Sequence, residues 1–237
     1  DGDDVTLMPF RADAVRFLNQ HGIVNAICSP NDLNTAKARL LELGLWDEFV
    51  FPNIGFQPKG ETVAQMLEEM QLRAPNVVFI DDNVNNLEEI KFNVPGIQVI
   101  DASDPGCDAA LQDIMEANAH VNTSRVAQYR ALEQRIVDRK SNTGSNEDFL
   151  KSCNLNVCVV RWADNLEFAP RIEELVNRSN QLNFTKSRIP SGTAHDLLSS
   201  FHKEFYSLSI FAWDKYGYHG LVGFAGIQNR SKLVDFV

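Results

Sequence analysis

Short apolar runs alternate with amphipathic stretches through roughly the first hundred residues, and this alternation is the strongest constraint on the fold. Phe10, Ala14, Phe17 and Leu18 recur at helical spacing, and Gly22 sits where a helix would end. Residues 23–28 (IVNAIC) form an apolar run of the length of a buried parallel strand. Residues 29–32 (SPND) supply capping side chains for a second helix carrying Leu33, Ala36, Leu40 and Leu43, which stops at Gly44. Residues 49–51 read as a short strand. Residues 61–71 read as a helix with Val63, Met66, Leu67 and Met70 inward. Residues 77–80 (VVFI) are the most β-like run. Leu87 and Ile90 mark a short helix broken by Pro95-Gly96, and residues 97–100 (IQVI) are a further strand. Strand and helix in alternation with short connections predict a parallel sheet covered on both faces.

Ligands of such sheets bind beyond the carboxyl ends of the strands. Two strand ends here turn polar at once, at Cys28-Ser29 and at Ile80-Asp81-Asp82, and the topology predicts that both lie on one edge. Residues 101–122 read as a connector. Residues 123–140 read as a polar helix with Val126, Tyr129, Leu132 and Ile136 on one face, and residues 141–146 (SNTGSN) as a linker. A second unit follows, with a strand over 155–162, helices over 171–177 and 195–204, and strands over 206–213 and 221–228. Gly217 and Gly220 in the turn between the last two suggest a hairpin. The expected boundaries are 1–118 for the first unit, 119–146 for the helical linker and 147–237 for the second unit.

The net charge of −10 argues against a nucleic-acid partner and against attraction to an anionic membrane. It leaves room for a phosphate substrate in one local cationic pocket. No apolar run approaches the ~20 residues that span a bilayer, and no signal peptide is visible. Cys28, Cys107, Cys153 and Cys158 form no CxxC pair and read as reduced thiols, so the expected location is cytoplasmic. The chain begins at Asp1 and stops at an apolar stretch, which reads as an interior piece of a longer protein.

Asp81-Asp82 is the sharpest chemical signal. Two adjacent carboxylates repel each other unless a cation or proton compensates, and such oxygen ligands suit Mg²⁺. The bland reading is a helix N-cap, with Asp82 or Asn83 capping the helix that begins near Asn85. Ser29 stands between a buried strand and a helix, where a hydroxyl and backbone N–H groups hold a phosphate. Its bland use is also an N-cap. Lys59 follows Pro58, which stiffens the approach; a lysine is a point charge for phosphate, although single surface lysines are usually only solvated. A phosphoryl-transfer site needs an anion cradle, a cation and a metal, and these residues supply them in order. A nucleophile on an earlier strand is missing. Asp1-Gly2-Asp3-Asp4-Val5 fits a loose DxDxV pattern but has no strand before it, so a solvated acidic turn describes it better.

Ser29, Lys59 and residues 77–83 (VVFIDDN) resemble motifs two, three and four of the haloacid dehalogenase superfamily, and more closely its subfamily IIIC, the FkbH-like glyceryl transferase/phosphatase family. Residues 21–32 (HGIVNAICSPND) and 51–59 (FPNIGFQPK) resemble that family's serine stretch and lysine loop. Residues 171–185 and 214–223 resemble its acetyltransferase-like region. The resemblance implies a Rossmann-like parallel sheet followed by a smaller α+β acetyltransferase-like domain, truncated at both ends. It places the nucleophilic aspartate upstream of Asp1. Pro30 departs from the family, which usually has lysine there.

The implied activity is a Mg²⁺-dependent phosphatase/glyceryl transferase. It would dephosphorylate a phosphorylated three-carbon acyl donor, 1,3-bisphosphoglycerate, and load the glyceryl unit onto an acyl carrier protein. The implied roles are Asp81 and Asp82 for Mg²⁺, Ser29 for the phosphoryl oxygens, Lys59 for charge developing in the transition state, and Asn31 for substrate orientation. Cys28, at a strand end near a helix N-terminus, is a candidate to accept the glyceryl group as a thioester; its bland reading is a small buried hydrophobe. The alternative to an enzyme is a non-catalytic module of a biosynthetic pathway that stabilises an assembly or docks a carrier protein, the latter through Arg125, Arg130, Arg135, Arg139 and Lys140, residues otherwise read as a solvated helix face.

Overall fold

The structure is a computed structural model that describes residues 7–179, 181–201, 205–228 and 232–236. It divides into two compact units, Asp1–Ser141 and Asn142–Val237.

In the first unit, helix α1 (Pro9–Gln20) leads into strand β1 (Asn25–Ser29), helix α2 (Leu33–Glu42) and strand β2 (Phe49–Ile54). Then come α3 (Lys59–Glu69), β3 (Val78–Asp81), α4 (Val84–Asn93) and β4 (Gln98–Asp101). The alternation read from the sequence is therefore present. The single parallel sheet is not. β1 pairs only with β2, and β3 only with β4, each in parallel. No described strand joins β1 to β3, so the expected sheet is found as two separate parallel pairs.

The two pairs share a core. One cluster joins Val50 and Phe51 of β2 to Met66 and Met70. Another joins Val63 and Leu67 of α3 to Ile90 and Val94 at α4. Cys28 packs against both clusters. Ile90 and Val50 are fully buried, and truncating either to alanine removes on the order of 2–4 kcal/mol.

Two stretches differ from the sequence reading. The expected connector contains helix α5 (Cys107–Asn118), which packs on α1 and buries Cys107 and Leu111. The expected linker helix, α6 (Val126–Ser141), docks on β2 instead of spanning open solvent. Its Tyr129 is buried against Val50 and Phe51, with Val126, Leu132 and Ile136 beside it. The apolar face had been legible; its partner surface had not.

The second unit opens with α7 (Asn146–Ser152), started by a capping box between Ser145 and Asp148. Strand β5 (Asn156–Arg161), helices α8 (Ala169–Arg178) and α9 (Ala194–Phe201), and strands β6 (Phe205–Asp214), β7 (Gly217–Gln228) and β8 (Lys232–Phe236) follow. The four strands form one antiparallel sheet in the order β5-β6-β7-β8. The expected hairpin is β6–β7. Ile172 and Val176 of α8, Leu198 of α9, and Phe211 and Phe224 of the sheet make its core. Residues 202–204 of the expected second helix lie outside the described residues, as does the Asp1–Val5 segment.

Candidate active site

The carboxyl ends of β1 and β3 both carry the polar residues singled out above. β1 ends at Cys28-Ser29 and β3 at Asp81. Lys59 is the first residue of α3, immediately after Pro58. A lysine at a helix N-terminus opposes the helix dipole. Here its ammonium donates to Asp81 Oδ2 and forms an ion pair with it. The two side chains are only 11% and 7% exposed. Residues twenty-two positions apart are thus joined at one edge.

Asp81 is held on its other oxygen as well. Oδ1 accepts from the Asn83 N–H and from Asn86 Nδ2, both at 2.9 Å. Burial pushes the Asp81 carboxyl up, but the Lys59, Asn86 and Asn83 hydrogen bonds and the Lys59 charge outweigh it and hold the group below its ordinary range. Asp82 is exposed, and its carboxylate makes no hydrogen bond or ion pair among the described residues. Of the two expected capping residues, Asn83 and not Asp82 is the N-cap of α4, accepting from the Asn85 N–H.

Ser29 is spared capping in the same way. Asp32 caps α2, accepting from the Thr35 N–H at 2.9 Å. The Ser29 carbonyl accepts from the N–H groups of Asn31 and Gly55, both at 3.0 Å. That ties the lysine loop to the end of β1, where Ser29 lies opposite Ile54. Asn31 is exposed, and its Oδ1 accepts from the Asp32 N–H inside the turn. This hydrogen bond leaves the Nδ2 donors of the side chain for other partners.

Cys28 is half-buried beside the cluster. Burial pushes its thiol up, the Lys59 charge pulls it down, and Asp81 and Glu89 push it up again, for a net rise. The thiolate favoured by a helix N-terminus alone is therefore opposed here.

Two residues of the site were not read from the sequence. Asn86 anchors Asp81. Glu89 Oε1 accepts from the Gly60 N–H at 2.8 Å, which satisfies one of the free donors at the start of α3. Both lie on α4, and with Asn83 they form a polar stripe at i, i+3, i+6 directly after the acid pair. That spacing was the available signal. Gly60 is also constrained by contact: a Cβ there would lie 2.3 Å from Asn93 Nδ2.

The donor set fits Mg²⁺ in kind but is small. Asp81 and Asp82 are hard oxygen donors at a strand end, and Mg²⁺ is commonly held by one or two carboxylates with water and substrate phosphate. No group of three metal-ligating side chains occurs among the described residues. A metal at Asp81 must also share that carboxylate with Lys59.

Residues 2–91 match the family model for haloacid dehalogenase-like hydrolases. The matched segment contains Cys28, Ser29, Lys59, Asp81 and Asp82, and the match supports membership of the haloacid dehalogenase superfamily for that segment. No curated protein matches the chain, and no solved structure matches it. Among the described residues, no helix is long and apolar enough to cross a membrane.

Proposed function

We propose that the edge formed by Ser29, Lys59, Asp81 and Asp82 is a phosphoryl-handling site, and that the protein is a glyceryl transferase/phosphatase of the FkbH-like kind. One observation carries this reading. A nearly buried lysine and carboxylate from separate β-α elements meet beside the end of a third element that carries a hydroxyl not used for capping. Ser29 and the Lys59 ammonium would bind the phosphoryl oxygens. Lys59 would also offset negative charge as it develops on the phosphoryl group. Asp81 and Asp82 would hold Mg²⁺, which neutralises phosphate charge when bound.

The nucleophilic aspartate of this chemistry is absent from the described edge. We place it on chain outside the described residues, on a parallel strand that enters between β1 and β3, each of which lacks a neighbour on one side among the described residues. In the acyl-transfer half, Cys28 sulfur would attack the acyl carbon of the phosphorylated donor. The carbon–oxygen bond to phosphate would break and phosphate would leave. The thioester would then pass to an acyl carrier protein. Asn31 remains a candidate to orient substrate through its side-chain amide Nδ2, its Oδ1 being engaged in the turn. Residues 147–237 would belong to the family's acetyltransferase-like region.

The alternative is a non-catalytic module that docks a carrier protein or stabilises an assembly, with the cations of α6 as its docking patch. Arg130 donates to the Asp47 carbonyl, Lys140 pairs with Glu69, and Arg125 lies 5.2 Å over the Tyr129 ring. Arg130 and Lys140 thus tie the helix to its own unit.

Titration with inorganic phosphate in the presence of Mg²⁺, followed by amide NMR, tests the reading. Saturable shifts are expected at Ser29, Gly55 and Gly60. Lys59→Met should weaken binding about tenfold or more, the scale of one charge-assisted hydrogen bond, and Ser29→Ala should weaken it less. Shifts absent from this edge, or unchanged in both variants, would contradict the proposal.

A further inference from the structure

We infer that Glu133 of α6 is a positioning residue for the lysine loop, acting through the backbone of β2. This inference rests on the reading of Lys59 and Ser29 given above. The β1–β2 ladder contains one extra residue on β2: Ala26 lies opposite Val50, but Cys28 lies opposite Asn53. The irregularity falls at Phe51-Pro52. A one-residue slip turns every later side chain to the opposite face, so this bulge decides how residues 53–58 approach Ser29.

The bulge is held against local preference. Phe51 has φ +48° and is buried, and a bulky side chain rarely adopts that backbone conformation. Proline at 52 has no N–H, so Phe51 carries the one backbone donor of the pair that needs a partner. Strand β1 does not supply it. Glu133 Oε2 accepts that N–H at 3.2 Å. Tyr129, one helical turn earlier on α6, is buried against Val50 and Phe51 and fixes the helix there. Downstream of the bulge, Ile54 pairs with Ser29 and the Gly55 N–H donates to the Ser29 carbonyl. Lys59 follows four residues later. The polar helix is thus a clamp whose carboxylate sets the register of the strand that delivers the lysine.

The test compares wild type, Glu133→Ala and Glu133→Gln in the full chain by amide hydrogen exchange and by phosphate titration with Mg²⁺. In Glu133→Ala the Phe51 and Gly55 amides should exchange about tenfold faster, while amides of β3 and of the second unit keep their rates. Phosphate affinity should fall about fivefold or more, and Glu133→Gln, which keeps an acceptor oxygen, should recover most of both effects. A merely structural loss would speed exchange across the whole first unit. Unchanged exchange at Phe51 and Gly55, or acceleration spread over the unit, would overturn the inference. If Glu133→Ala fails to fold, Glu133→Asp, one methylene too short, makes the same comparison. If wild type binds no phosphate, the site reading fails, and the exchange rates still decide the role of Glu133.

Discussion

Replacing Asp81 by alanine should destabilise the first unit by about 3 kcal/mol or more, the usual cost of removing one partner from a buried ion pair. The variant leaves the Lys59 ammonium, 11% exposed, without its counter-charge, and leaves the Asn86 amide without its acceptor. Asp82→Ala, an exposed carboxylate one residue away, should stay within about 0.5 kcal/mol of wild type. Amide exchange of β3 and α3 reads the difference in the first unit directly. The pH dependence has a definite sign. Asp81 is held below its ordinary range in the folded chain. Its contribution is therefore complete above the unfolded carboxyl value of about 3.9 and is lost as pH falls through the lower folded value. The gap between wild type and Asp81→Ala should narrow only in that acid range. A gap that closes near neutrality, or none at all, would mean that the pair is not formed.

The second large effect concerns turnover. The 237-residue chain should not hydrolyse phosphate esters above the Mg²⁺ background. In the proposed reading the edge offers an anion cradle and a cation, but its Asp81 carboxylate is engaged with Lys59, Asn83 and Asn86 and is not poised to attack phosphorus. In enzymes that use a covalent nucleophile, removing it costs roughly 10⁴-fold or more in rate. Assay of the chain with a chromogenic phosphate monoester, with and without Mg²⁺, measures this. Mg²⁺-dependent turnover that disappears in Lys59→Met would show that the nucleophile lies within these residues, and the placement of that group would have to be revised.

The legible and illegible parts of the site divide along a physical line. The strand ends were legible because an apolar run that stops abruptly at Ser29 or Asp81 marks where a strand ends, although no residue of β1 or β3 is fully buried and the expected cover on both faces is not found over them. The Lys59–Asp81 pair was not, because pairing across twenty-two residues depends on how α3 seats against β3 and leaves no local pattern. Asn86 and Glu89 were hidden on a short helix whose polar positions look solvated. Helix α5 was missed because the Asp104-Pro105-Gly106 turn dominates its start, while its apolar residues serve a partner, α1, nearly a hundred positions earlier. The single-sheet expectation failed between β1 and β3, which pair with β2 and β4 but not with each other or through a further strand among the described residues. Likewise, α6 declared its apolar face but not the bulge that receives it.

The central claim is that groups remote in sequence grip one phosphoryl moiety together. A crystal structure of the chain grown with Mg²⁺ and a tetrahedral oxyanion such as tungstate addresses it most directly. The account predicts the anion within hydrogen-bonding distance of Ser29 Oγ and Lys59 Nζ, with the metal on Asp81 or Asp82. An anion seated elsewhere, with Lys59 still closed on Asp81 and Ser29 untouched, would contradict it.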